Sequence, residues 1–333
     1  MNILLAKPRG FCAGVDRAID ILEMAIELYP HPIYVKHEIV HNKFVVEGFE
    51  KRGVIFIESI NEVPEGSTLI FSAHGVSPTI RQDAAVRRLQ TIDATCPLVT
   101  KVHLEVIRYA REGYTILLIG HARHPEVVGT TGEAPANVIL IETADDARKV
   151  SVSDPVKTIV LTQTTLSVDD TKEIFDVLRT RFPEMKTPPS EDICYATRNR
   201  QKGIRSIASS ADIVFVLGSK NSSNSNRLRD LSEQLGTPSH LIDRASDIQE
   251  EWLNGVETVG ITAGASAPES LVEEVIEYLK ARYTVDDIQE ISAVDERVAF
   301  ALPAEIKKRA DELGKDLSQI AKHQISATQK MSV

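Results

Sequence analysis

The chain has 333 residues, of which 42% are hydrophobic and 26% charged, an ordinary globular composition with room for about two domains. Its net charge of −10, without a block rich in lysine and arginine, argues against nucleic acid as a partner. No apolar stretch approaches the ~20 residues that cross a bilayer, and the N-terminus lacks the features of a secretory signal. We therefore expect a cytoplasmic protein with no membrane partner.

Short apolar runs alternate with segments of helical periodicity along the chain. The first run, at 2–6, precedes a predicted helix at 15–29, whose apolar residues share one face. Two more helices are predicted at 167–182, which opens with serine and acidic residues, and at 268–283, which opens with proline and glutamates. The other apolar runs cover 32–35, 54–58, 68–73, 115–120, 137–142, 158–162, 212–218, 239–243 and 258–264. This alternation predicts an α/β fold with mainly parallel sheets covered on both faces.

The three cysteines divide the chain into similar lengths. Cys12, Cys96 and Cys194 are 84 and 98 residues apart, and each lies between a strand or extended stretch and a helical one. We therefore predict three comparable α/β units that each contribute one cysteine in a loop. The predicted units are 14–97, 98–193 and 194–283 completed by 1–13, followed by a C-terminal extension at 284–333. In this extension we predict a charged surface helix within 303–324 and disorder over 325–333.

Polar loops follow the predicted strands in a regular way. Each unit supplies two loops rich in histidine, serine, threonine, asparagine or glycine. The loops are KHEIVHN and SAHGVSP in the first unit, GHARHPE and TQTTLS in the second, and GSKNSSNSNR and TAGASAP in the third. Ligands of parallel sheets bind at the carboxyl ends of the strands, which is where these loops are placed.

The cysteines have several possible roles. An odd number of them, with no C-x-x-C pair, argues against a disulfide framework and against a zinc ribbon or thioredoxin-like site. A lone cysteine is most often an inert buried residue, but these three lie in the loop-like contexts GFCAG, ATCPL and ICYAT. If they meet at one point, three thiolates suit a soft metal or an iron–sulfur cluster with one open iron.

The histidines and serines of the loops indicate an anion site. A single loop histidine is usually a surface residue, but His41, His74 and His124 all lie in strand-end loops of the same kind. The run SSNSN at 222–226 opens a helix, where hydroxyl, amide and free N–H groups form an anion site or simply cap the helix. The segment GASAPES, at 264–270, likewise places serine hydroxyls and free N–H groups at the start of a predicted helix. Together these loops would bind a diphosphate without lysine or arginine.

Glu126 follows His124 by two residues. On spacing alone it reads as a surface glutamate. Beside an anionic cluster and a diphosphate, like-charge repulsion and desolvation would raise the pKa of its carboxyl and make a proton available near neutral pH.

Nine motifs in chain order resemble those of the 4-hydroxy-3-methylbut-2-enyl diphosphate reductase family, from residue 1 to about 303. They are PRGFCAGVDRA, HEIVHN, FSAHGVS, DATCPLVTKVH, GHARHPEV, TQTTLSVDDT, DICYATRNRQ, GSKNSSNSNRL and TAGASAPE. The resemblance implies a trefoil of three α/β units around a central [4Fe–4S] cluster with three cysteine ligands and one open iron.

Site residues follow from this resemblance, position by position. The implied cluster ligands are Cys12, Cys96 and Cys194. The implied substrate contacts are His41, His74, His124, Thr164, Thr197, Ser222, Ser223, Asn224 and Ser266. The implied proton donor is Glu126, which acts with His124 and Thr164.

The implied activity is the reductive dehydroxylation of (E)-4-hydroxy-3-methylbut-2-enyl diphosphate to isopentenyl and dimethylallyl diphosphate, the last step of the non-mevalonate pathway. Ferredoxin or flavodoxin fed by NADPH would supply the electrons one at a time. Two positions depart from the family pattern: Arg123 stands where the family usually has glycine, and Arg198 stands where it has a small polar residue. Both add positive charge to loops that carry candidate site residues.

Two other classes of function remain open at this point. A phosphotransfer enzyme would use Cys12 as its nucleophile with Arg9 or Arg17 beside it, but this leaves Cys96 and Cys194 without a role. A non-enzymatic iron–sulfur carrier or regulator would need four protein ligands and no anion pocket.

Overall fold

A computed structural model describes residues 1–317 and 320, and this part of the chain forms twelve strands and eleven α-helices. The strands are β1 (Asn2–Lys7), β2 (Ile33–Lys36), β3 (Ile55–Ile57), β4 (Thr68–Phe71), β5 (Gln90–Asp93), β6 (Thr115–Ile119), β7 (Val138–Ile141), β8 (Thr158–Thr162), β9 (Ile213–Leu217), β10 (Ser239–Ile242), β11 (Thr258–Ala263) and β12 (Asp287–Ser292). The helices are α1 (Ala13–Leu28), α2 (Lys43–Glu50), α3 (Pro78–Val86), α4 (Pro97–Arg111), α5 (Pro125–Gly132), α6 (Ala144–Lys149), α7 (Val168–Arg181), α8 (Tyr195–Ala208), α9 (Ser223–Gln234), α10 (Glu269–Arg282) and α11 (Ala304–Glu312).

Every paired strand among the described residues runs parallel to its neighbour. The strand orders are β10-β9-β11-β1-β12, β3-β2-β4-β5 and β7-β6-β8. This confirms the predicted α/β class with parallel sheets. Each of the ten predicted apolar runs overlaps a strand, and the three predicted helices begin and end within two residues of α1, α7 and α10.

The chain divides into two compact units. The first contains residues 1–28, 40–54 and the described residues from 195 onward, and it is built on the five-stranded sheet. Alternate residues of β9 pack into different cores: Ile213, Phe215 and Leu217 lie in one cluster, and Val214 and Val216 lie in another. A strand buried on both faces needs an unbroken apolar run, which explains the sequence of β9.

The second compact unit contains residues 29–39 and 55–194, with the four-stranded and three-stranded sheets. Its strand β6 repeats the two-sided burial: Leu117 and Ile119 pack in one core, and Ile116 and Leu118 pack in another. The three-unit boundaries given above remain a prediction.

The segment after residue 283 is integrated into the first compact unit. The polar strand β12 pairs with β1 along the edge of the sheet, and its exposed side chains explain why no apolar run marked it. The predicted charged helix exists as α11, but it is more than a surface helix. It packs against α1, and its Ile306 and Ala310 are 0% and 1% exposed. The predicted disorder at 325–333 lies outside the described residues.

None of the helices in the described part of the chain combines the length and apolarity needed to span a membrane.

The predicted polar loops all begin at the carboxyl ends of strands. They follow β2, β4, β6, β8, β9 and β11. In each sheet the strand order reverses at one point, between β2 and β4, between β6 and β8, and between β9 and β11. Crevices at such reversal points are the usual ligand sites of parallel α/β sheets, so all six loops start where a ligand is expected.

Candidate active site

Each cysteine directly precedes a helix. Cys12 comes before α1, Cys96 before α4 and Cys194 before α8. The first N–H groups of a helix have no partner within the helix and carry partial positive charge, which favours a thiolate at that position.

The main chain of each cysteine is anchored to a polar loop in the same way, because its amide donates to a carbonyl there. The pairs are Cys12 with Ala265 at 3.2 Å, Cys96 with Ala73 at 3.0 Å and Cys194 with Thr164 at 3.0 Å. Ser266 and His74 directly follow two of these acceptors, and Thr164 is the third. Each candidate cluster ligand is therefore tied to a candidate substrate-binding residue or its neighbour.

The three thiols fit a soft metal centre by their chemistry. All are free of disulfides and half-buried. Burial raises the pKa of the Cys12 thiol, while the positive charge of Arg200 and the amides of Val15 and Gly14 oppose this effect. Burial thus disfavours the free thiolate, which a bound cation would stabilise. Cys12 belongs to the first compact unit and Cys96 and Cys194 to the second, and their action on one cluster remains a prediction.

Glu126 lies in the first turn of α5 and is held by Thr164. The amide of Thr164 donates to Oε1 of Glu126 at 2.7 Å, and its hydroxyl lies 3.1 Å from Oε2. Glu126 is only 3% exposed, so the reading as a surface glutamate is wrong. Burial raises the pKa of its carboxyl to about 7, against the two hydrogen bonds from Thr164 and with support from the negative charge of Asp192. Glu126 can therefore hold and release a proton near neutral pH.

His124 caps the helix that carries Glu126. Its Nδ1 accepts a hydrogen bond from the Glu126 amide at 3.2 Å, which leaves Nε2 as the nitrogen that can carry a proton toward a ligand. The ring of His74 lies edge-on to that of His124, with centroids 6.1 Å apart. Nδ1 of His74 lies 3.1 Å from the hydroxyl of Ser72. The second unit thus places two predicted histidines beside the Glu126–Thr164 pair.

His37 extends this row of rings, and sequence reasoning did not single it out. Its ring lies 5.8 Å from that of His74, and its Nδ1 is 2.7 Å from a carboxylate oxygen of Glu58. Its backbone φ of 61° is unusual for a residue other than glycine. The available signal was its place in the polar loop after β2.

Asn224 is the clearest sign of a ligand in the first unit. Its side chain sits in the first turn of α9 and the residue is 4% exposed, yet neither its Nδ2 nor its Oδ1 bonds to any described part of the protein. Buried amides are almost always hydrogen-bonded because leaving one without a partner costs about 1–3 kcal/mol. The unpaired amide is therefore suited to receive a ligand.

Ser222 is the N-cap of α9. Its hydroxyl oxygen accepts hydrogen bonds from the amide and the hydroxyl of Ser225, at 3.3 and 3.0 Å. The helix-capping interpretation of this run is therefore correct for Ser222, and its own hydroxyl proton is left to donate elsewhere. Ser223 is half-buried beside it.

Gly264 brings the GASAP loop close to the start of α9. A Cβ at this position would lie 2.0 Å from Oγ of Ser225 and 3.3 Å from Nδ2 of Asn224. Ser266, in the same loop, donates its hydroxyl to the carbonyl of His41 at 2.8 Å. The first unit thus gathers His41, Ser266 and the α9 start into one polar region.

Thr197, the last predicted substrate contact, and the two arginines that depart from the family pattern lie in or near helix starts. Thr197 is fully buried in the first turn of α8, and Arg198 is partly buried beside it. Arg123 is exposed and takes a φ of 69°, a conformation that glycine adopts without strain. This backbone requirement gives a physical reason for a glycine preference at that position.

Comparison with known proteins decides the family. The family model described as "LytB protein" matches residues 3–280.

This chain belongs to the LytB family.

One relative of this LytB-family chain is the "4-hydroxy-3-methylbut-2-enyl diphosphate reductase" of Serratia proteamaculans. The two sequences are 55% identical over 311 residues, which cover 92% of this chain and 98% of the relative. A solved structure titled as the E-1-hydroxy-2-methyl-but-2-enyl-4-diphosphate reductase from Plasmodium falciparum is 41% identical, with a TM-score of 0.92 over 94% of this chain and 99% of that one. A second, titled as the (E)-4-hydroxy-3-methyl-but-2-enyl diphosphate reductase that ends the non-mevalonate pathway, is 34% identical, with a TM-score of 0.61 over 84% and 100%.

Proposed function

We propose that this LytB-family chain is the reductase that its relatives are named for. It would convert (E)-4-hydroxy-3-methylbut-2-enyl diphosphate to isopentenyl and dimethylallyl diphosphate. The reaction breaks one allylic C–O bond, consumes two electrons and two protons, and releases water. Each product keeps the diphosphate and gains one C–H bond.

The observation that carries this proposal is the Glu126–Thr164 pair. Loss of a hydroxyl group as water requires a proton donor that is protonated near neutral pH, and a carboxyl with a pKa of about 7 meets this requirement. The Thr164 hydroxyl, in hydrogen-bond contact with the carboxyl, can pass the proton on. Burial keeps bulk water from taking the place of the substrate.

Cys12, Cys96 and Cys194 would hold a [4Fe–4S] cluster with one iron left open. When bound, such a cluster supplies single electrons and an iron that acts as a Lewis acid on the hydroxyl group. Ferredoxin or flavodoxin would be the electron donor. The cytoplasm, where thiols stay reduced, would be the compartment.

Neutral donors would bind the diphosphate. The unpaired amide of Asn224 and the N–H groups at the start of α9 support this, because anions bind at helix N-termini without a full positive charge. Ser222, Ser223 and Thr197 would act with them. His41, His74, His124, Thr164 and Ser266 complete the proposed set.

The two other classes of function are less well supported. A phosphotransferase with a Cys12 nucleophile would need an arginine available for the phosphate. Arg9 is bound to Glu269 and Glu290 at 2.6 and 3.0 Å. Arg17 donates its Nε to the carbonyl of Ala301 at 2.8 Å. Burial also raises the pKa of the Cys12 thiol, which disfavours the nucleophilic thiolate. The reductase names of the relatives give no support to a non-enzymatic carrier.

Turnover of the allylic diphosphate tests the proposal. The protein is purified anaerobically, supplied with a chemical reductant and assayed for the two isomeric products. We expect both products, an iron-dependent brown colour and a cluster EPR signal. A colourless protein without turnover contradicts the proposal, and a coloured protein without turnover favours the carrier.

A further inference from the structure

Arg200 is a fully buried arginine for which the proposed reaction has no direct use. It lies in α8, six residues after Cys194, and is 0% exposed. Arginine is among the residues least often fully buried, because its charge must be paired and all its N–H groups satisfied. The groups that satisfy Arg200 therefore indicate what it does.

Three hydrogen bonds join the Arg200 side chain to the loop before Cys12. Its Nε and one terminal nitrogen donate to the carbonyl of Gly10 at 3.0 and 2.6 Å, and the latter also donates to the carbonyl of Phe11 at 3.0 Å. The other terminal nitrogen donates to the carbonyl of Ala196, one turn back in the helix, at 3.2 Å. The planar guanidinium thus binds the carbonyls of Gly10 and Phe11, the two residues before Cys12.

The turn at Gly10, whose carbonyl Arg200 binds, has a backbone conformation that favours glycine. Gly10 has a φ of 69°, and a Cβ on it would lie 3.3 Å from the carbonyl oxygen of Ala267. A loop of this kind has many alternative conformations in the absence of a clamp. A second contact comes from α8, where the hydroxyl of Tyr195 accepts a hydrogen bond from the Ala13 amide at 3.3 Å. α8 therefore fixes the chain on both sides of Cys12.

The counter-charge of Arg200 comes from the C-terminal extension. Glu296 accepts from Arg200 at 3.1 and 3.3 Å, and it also accepts from the Asn199 amide group at 3.0 Å. The Glu296 side chain is only 16% exposed, so this ion pair is shielded from solvent. The segment after β12, for which the sequence suggested no role, thereby reaches the Cys12 loop through one arginine.

Arg200 also places a positive charge near Cys12. The guanidinium of Arg200 lies 3.0 Å from the carbonyl of Phe11, the residue before Cys12, so its positive charge is close to this candidate ligand. Removing Glu296 would leave that positive charge less compensated, and removing Arg200 would leave a buried loop without its cation.

We propose that Arg200 is a positioning residue for Cys12, and that Glu296 from the C-terminal extension holds Arg200 and sets how much of its charge Cys12 experiences. This inference rests on the proposed function, in which Cys12 is a cluster ligand. Hydrogen-bonding partners behind metal ligands typically affect metal affinity about 10–100-fold. The pair should therefore affect both retention of the cluster and its reduction potential.

The test compares R200K, R200Q and E296Q with controls beside them. Lys202→Gln removes an exposed cation from the same helix, and Asp295→Asn removes a carboxylate next to Glu296. Each protein is reconstituted anaerobically with iron and sulfide. Iron content, the rate of iron loss to a chelator, the midpoint potential and the melting temperature are then measured.

We expect R200Q to lose iron roughly 10-fold faster than wild type. Lysine at the same position should restore part of this loss because it keeps the charge but lacks the guanidinium fork. The midpoint potential should fall in R200Q and rise in E296Q, since positive charge near the cluster favours the reduced state. A residue with only a structural role would shift the melting temperature without this opposite pair of potentials.

Several results overturn the inference. If iron loss and potential in E296Q match those of Asp295→Asn, the proposed role of the pair is wrong, even where R200Q does not fold. Potentials that shift in the same direction in both variants also contradict it. If wild type itself binds no iron, the cluster proposal fails instead, so the two failures are distinguishable.

Discussion

Thr164 donates to both carboxyl oxygens of Glu126, from its amide at 2.7 Å and from its hydroxyl at 3.1 Å, although 38 residues separate the two in sequence. The carbonyl of the same threonine accepts from the amide of Cys194 at 3.0 Å. One residue thus joins the candidate proton donor to a candidate cluster ligand. The loops after β6 and β8 bring these groups together.

Replacement of Glu126 by glutamine should abolish most of the activity. Glutamine keeps the shape and can still accept from the Thr164 amide, but its carboxamide has no acidic proton to transfer. We expect turnover to fall about 10²–10⁴-fold at unchanged iron content, as for loss of a general acid. Wild-type turnover should fall as pH rises through about 7, because the protonated carboxyl is required. Near wild-type rates in Glu126→Gln, relative to the exposed control Glu65→Gln, would show that the donor is another group.

The same variant should be more stable than wild type at alkaline pH. The folded pKa of Glu126 is raised from 4.5 to about 7, so the folded state binds more protons than the unfolded state in that interval, and wild-type stability falls as pH rises through it. Glu126→Gln lacks this dependence. The difference in free energy of unfolding should grow to roughly 3 kcal/mol at pH 8. Denaturant unfolding at pH 5 and pH 8 measures it, and an equal difference at both values would contradict the assignment.

Thr164→Val separates the hydroxyl from the shape of the side chain. Valine removes the proton path through the hydroxyl, and we expect turnover to fall at least about 10-fold. The side-chain hydrogen bond lowers the pKa of Glu126, so its loss should move the alkaline limb of the pH profile upward. Thr164→Ser keeps the hydroxyl and should keep both properties. A Val variant with the wild-type rate and pH profile would remove Thr164 from the relay.

Asn224→Leu should weaken ligand binding and raise the free energy of unfolding. Its amide is buried without a partner among the described residues, so an apolar replacement of similar size should raise the free energy of unfolding by about 1–3 kcal/mol. Affinity for inorganic diphosphate should fall at least about 10-fold. The matched control is Asn226→Leu, which breaks hydrogen bonds of 2.7 and 2.8 Å and should destabilise the protein instead. Unchanged diphosphate affinity in Asn224→Leu would exclude this amide from the binding site.

Each of the three cysteines should be required for the cluster. Cys12→Ser, Cys96→Ser and Cys194→Ser should each lose iron and activity together, because serine is a poor ligand for soft iron–sulfur centres. Iron analysis and visible absorbance after anaerobic reconstitution measure this. A full cluster in any one variant would show that the corresponding residue is not a ligand.

Much of the candidate site could be predicted from sequence because its chemistry would be carried by loops of distinctive residue types. Six polar loops after six strand runs, and three cysteines before three helices, are local patterns in the chain. Periodicity and turn chemistry specify such patterns residue by residue. Resemblance to a family then gave each loop residue an expected role.

The alternation of apolar runs and helices by itself determined that this protein is α/β with parallel sheets, because two-sided burial of a strand requires an unbroken apolar run. Only the tertiary structure decided that Glu126 is buried against Thr164, that Asn224 lacks a partner and that Arg200 clamps the Cys12 loop. It also decided that the polar segment 287–292 is an edge strand. Burial and pairing depend on which distant segments pack around a residue, and local spacing carries no information about that packing.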